Sequence, residues 1–67
     1  MKLRKGEQYI VISHYGSRHP VGTLVTITMM VDPQNNIRPY YCEAVDGNTA
    51  YWYGADELAK EIDGIKV

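Results

Sequence analysis

Every apolar run in this chain is short, rich in β-branched or aromatic residues, and stopped by a turn signal. Tyr9-Ile10-Val11-Ile12 is too brief for a helix of ordinary length and reads as a buried strand. Thr23 to Val31 is the longest strand signal. Val25, Ile27, Met29 and Val31 share one phase, and Thr26 and Thr28 share the other. Such alternation predicts an apolar face turned inward and threonines turned toward water. Asp32-Pro33-Gln34-Asn35-Asn36 then forms a turn cluster. In the strand from Tyr40 to Val45, Tyr40, Cys42 and Ala44 are expected inward, with Tyr41, Glu43 and Val45 outward. Asp46-Gly47 is the strongest hairpin signal. It leads into Thr49-Ala50-Tyr51-Trp52-Tyr53, a strand in which Trp52 is expected to fill the core.

Beyond Gly54, the stretch Asp56 to Ile62 has helical composition, with acids early and Leu58 four residues before Ile62. It amounts to about two turns, so it must pack on the strands to persist. Gly64 stops it, and Ile65-Lys66-Val67 can add a last strand. The reading is a single mainly β domain over residues 1–67: five strands closing into a small barrel, with one short helical turn before the last.

That order resembles the SH3-like barrel. Lys5-Gly6-Glu7 before a β-rich run resembles the opening of KOW-type small barrels. So does His19-Pro20-Val21-Gly22-Thr23, with its glycine just before the second strand. Tyr40-Tyr41-Cys42-Glu43, Asp46-Gly47, Tyr51-Trp52-Tyr53 and Glu57-Leu58 together resemble small SH3-like proteins of bacteriophages and prophages. The resemblance runs from about Gly6 to Leu58 and implies a binding module that performs no catalysis. The first loop is basic and carries His14 and His19, unlike the acidic loop of SH3 domains that take proline-rich peptides, so that specificity is not implied. The fuller glycine pattern of a ribosomal KOW motif is also missing.

The formal net charge is −1, which sets this chain apart from general nucleic-acid binders with a strong basic excess. The single cysteine, Cys42, has no partner for an internal disulfide. The opening Met-Lys-Leu-Arg-Lys-Gly is not a secretory signal, and no apolar run approaches the ~20 residues of a membrane helix. A cytoplasmic setting is therefore expected, with no membrane partner. His14, His19 and Cys42 are too few and too scattered for a metal site. Cys42 lies in the inward phase of its strand, where a thiol acts as a small hydrophobe. No catalytic residue, metal or cofactor is expected.

Six tyrosines and one tryptophan in 67 residues carry the functional reading. Tyrosine offers contact area with a polar tip. The candidate binding residues are Tyr15, Arg18 and His19 on the first loop, Arg38 before the third strand, and Tyr41, Tyr51 and Tyr53 on a shared outward face. Such a surface suits a protein partner. The alternative is a small barrel that stacks single-stranded bases on the tyrosines and holds phosphates with Lys2, Arg4, Lys5 and Arg18.

Overall fold

The computed structural model describes residues 3–13, 19–47 and 49–67. Tyr15 and Arg18, and with them His14, lie outside the described residues. Strands β1 (Gln8–Val11), β2 (Leu24–Met30), β3 (Tyr40–Ala44) and β4 (Ala50–Tyr53) run antiparallel, each to the next. A 3-10 turn at Ala55–Glu57 leads into β5 (Leu58–Ala59), which returns to pair with β1. The sheet order is β4-β3-β2-β1-β5, a curled half-barrel. Strands β6 (Glu61–Ile62) and β7 (Ile65–Lys66) form a separate hairpin.

The inner face carries one cluster: Leu3, Tyr9, Val11, Val25, Ile27, Tyr40, Cys42, Tyr53 and Leu58. Its members follow the two-residue period of the strands. The inward phase expected for Tyr40, Cys42 and Ala44 holds, and all are buried. The lead-in to β1 is drawn into the fold by Leu3, which is buried, and by backbone bonds from Gly6 N to Ile27 O and from Ile27 N to Glu7 O. Ile10, on the other face of β1, is also buried; β6 packs beside β1.

The expected inward phase fails at Met29. The β2–β3 register shifts between Ile27 and Met29, which sets Met29 opposite Tyr41 and leaves it half exposed. A bulge of this kind adds one residue to a strand and reverses the phase beyond it.

The helix expected from Asp56 to Ile62 is confined to the 3-10 turn. Leu58 already has extended φ and ψ of −127° and 145°. The open edge of β1 offers Leu58 and Ala59 a ladder opposite Val11 and Ile10. That pairing competes successfully against a helix of two turns, which is marginal alone. The last segment does not close the main sheet. Asp63 and Gly64, both at positive φ, turn it back on β6 instead.

Candidate functional site

Three arrangements of chemically capable side chains are present. The first is interior. His19 is buried, and its Nδ1 lies 2.5 Å from the Tyr53 hydroxyl while its Nε2 lies 2.8 Å from Thr49 Oγ1. The imidazole and phenol rings stack at 5.8 Å. His19 thus bridges two side chains that share one phase of β4 and pins the end of the first loop to that strand. Tyr53 is fully buried, which corrects its expected outward direction. Tyr51 has the same phase, is half-buried, and meets Tyr53 edge-on at 5.7 Å.

The second arrangement ties three loops together. Glu57 is buried and accepts hydrogen bonds from Arg38 Nε at 2.9 Å and from Gly54 N at 2.8 Å. Burial alone would push its carboxyl up. The hydrogen bonds from Arg38, Gly54 and Ser13, with the Arg38 charge, outweigh burial and hold it below the ordinary carboxylate range. Arg38, expected at a binding rim, is committed to this pair. Glu57 is accordingly a structural carboxylate.

The third arrangement is on the outer face. Met29, Tyr41 and Trp52 lie opposite one another across β2, β3 and β4. The Tyr41 and Trp52 rings meet at 5.0 Å, tilted by 55°, and both residues are half-buried. Tyr41 has the outward direction expected of it. Trp52 does not fill the core; it stands beside Tyr41 on the outer face. Glu43, exposed, follows Tyr41 on the same face. Of the expected cluster, then, the structure keeps Tyr41 outside, turns Tyr51 and Tyr53 inward, and adds Trp52 and Met29.

Cys42 is fully buried, and burial pushes its thiol up to about 12. Such a thiol is almost wholly protonated at neutral pH, far from a poised nucleophile. Among the described residues there is no group of three His, Cys, Asp or Glu able to hold a metal ion, and no enclosed pocket. Among the described residues no helix is long and apolar enough to cross a membrane.

Fold and surface together define a small, mainly β chain whose outer aromatic row lies on the outside of a curled half-barrel sheet. Comparison with protein-family models, characterised proteins and solved structures finds no match.

Proposed function

We propose that this chain is a non-enzymatic protein-interaction module on an SH3-like barrel, binding a partner protein across the Met29–Tyr41–Trp52 row. The supporting observation is the tilted Tyr41–Trp52 pair, half-buried on the outside of the sheet and flanked by an exposed methionine. Trp and Tyr are the residues that dominate protein interfaces when a partner covers them, and methionine adapts to irregular apolar surfaces. The SH3-like assignment is supported by three features: the order β4-β3-β2-β1-β5, a long connection between β1 and β2, and a 3-10 turn before β5.

The nucleic-acid reading has less support. Of the residues that would hold phosphates, Lys2 and Arg18 lie outside the described residues, and Arg4 and Lys5 are exposed on the lead-in to β1, whereas the outer aromatic row spans β2, β3 and β4. Glu43 places an exposed carboxylate on the same face as Tyr41, where it would repel a phosphate.

The test is capture of partners by the tagged chain from lysate of its source organism, with and without nuclease, read by mass spectrometry. One dominant protein that survives nuclease, and is lost with Trp52→Ala or Tyr41→Ala, is the expected result. Captured material that disappears on nuclease treatment would overturn the reading in favour of nucleic acid.

A further inference from the structure

Strand β4 is one of the two edges of the sheet, and its backbone decides what can add to it. Ala44 N donates to Thr49 O at 2.8 Å, so Ala44 and Thr49 form a hydrogen-bonded pair. In an antiparallel ladder such pairs alternate with non-bonded ones. Glu43/Ala50 and Tyr41/Trp52 are therefore non-bonded pairs, and Cys42/Tyr51 is bonded. The N–H and C=O groups of Ala50 and Trp52 consequently point away from β3, toward the open edge. No bond to either group occurs among the described residues.

The two edges of the sheet differ. At β5 the chain continues through Lys60 and Glu61 into the β6–β7 hairpin, and Val67 N donates to Lys60 O. Charge and a covering segment are the usual protections of an edge strand. Strand β4 carries no such charge: from Thr49 to Gly54 there is no charged residue and no proline, and among the described residues no segment pairs with its outer edge.

From this we infer that β4 is a self-pairing edge, and that two copies of the chain join there in antiparallel register about a two-fold axis at Tyr51. This register sets Ala50 opposite Trp52 of the second copy, so that all the outward backbone groups of both residues are satisfied. On the outer face it sets a small side chain against a large one, and no like charges oppose. A slip of one residue would turn the outward-pointing backbone groups of one strand against the inward-pointing ones of the other. The contact is isologous and closes as a dimer. The inference rests on the β4 backbone and does not depend on the partner-binding reading.

Two measurements test it. The first is sedimentation of the purified chain over a concentration series reaching about 1 mM, the weak end of measurable affinity, with Ala50→Pro as the variant. Among the described residues nothing accepts the Ala50 N–H, so proline there removes only the edge bond. A mass rising to that of two copies in the parent, and fixed at one copy in folded Ala50→Pro, is expected. A parent that stays single throughout, or a variant that associates equally well, would overturn the inference. The second measurement needs no variant. Amide hydrogen exchange by NMR should slow at Ala50 and Trp52 as concentration rises and stay constant at Tyr51, whose N–H already pairs with β3. Exchange at Ala50 and Trp52 that ignores concentration would equally refute it.

Discussion

The imidazole of His19 and the phenol of Tyr53, 34 residues apart in sequence, are in hydrogen-bond contact inside the fold. Tyr53 is fully buried, and its ring packs with the core while its hydroxyl meets a ring nitrogen. Tyr53→Phe keeps the ring and takes the oxygen from a buried polar group. Loss of a buried partner costs about 1–3 kcal/mol. Urea unfolding of Tyr53→Phe should show that loss as a lower midpoint with an unchanged slope. An unaltered midpoint would mean that the contact adds nothing to stability.

The Glu57 clasp should set part of the acid limb of stability. Its folded carboxyl is held below the ordinary range, while in the unfolded chain it titrates near the usual ~4.3. A depressed folded value means that the unfolded state takes up its proton first as pH falls. The clasp's contribution is therefore complete above about pH 4.3 and is lost as pH drops through the folded value. Glu57→Gln cannot titrate and keeps one acceptor oxygen. The variant should be less stable by about 1–3 kcal/mol at neutral pH, with a shallower decline in acid. Parallel pH–stability curves for parent and variant would show that the clasp is electrostatically idle.

Much of the sheet was legible from local chemistry. The inward set of β3 and the burial of Cys42 follow from alternation alone. The direction of β4 was not, because Tyr51, Trp52 and Tyr53 are all large rings and alternation cannot say which of them faces inward. Register supplies the missing sign. The hairpin pairs Ala44 with Thr49 and hence inward Cys42 with Tyr51, so Tyr51 and Tyr53 must be inward and Trp52 outward. Asp63-Gly64 is a second hairpin signal of the same kind as Asp46-Gly47, obscured by the helical composition before it. The bulge that turns Met29 outward has no mark in the residue pattern. The partners of His19 and Glu57 come from distant segments, and only the folded chain brings them together.

Gly54 is required by space and not by conformation. Its φ and ψ of −88° and 166° suit any residue. A Cβ there would lie 2.9 Å from the Ile37 carbonyl oxygen and 3.0 Å from Asp56 Oδ1. Asp56 can swing away, but the Ile37 carbonyl belongs to the backbone just before Arg38. Gly54→Ala should thus push the loop before β3 off the 3-10 turn and loosen the Arg38–Glu57 pair. Overpacking of this kind costs about 1–3 kcal/mol. Thermal unfolding should show the loss, and combining Gly54→Ala with Arg38→Ala should cost less than the sum of the two. Strict additivity would place the strain elsewhere.

Cys42 reports on opening of the core. Its thiol is fully buried, and burial pushes it up to about 12. Only the thiolate attacks a disulfide or alkylating reagent. In native buffer at pH 8 both access and ionisation are withheld. Modification by a thiol-reactive dye should therefore follow the rare openings that expose β3, and low concentrations of urea should accelerate it in step with the fall in stability. Tyr53→Phe should accelerate it by the factor corresponding to its stability loss, roughly 5- to 150-fold for 1–3 kcal/mol. Immediate stoichiometric labelling of the native parent would show that the inner face of β3 is open to solvent and that the half-barrel does not close over its core.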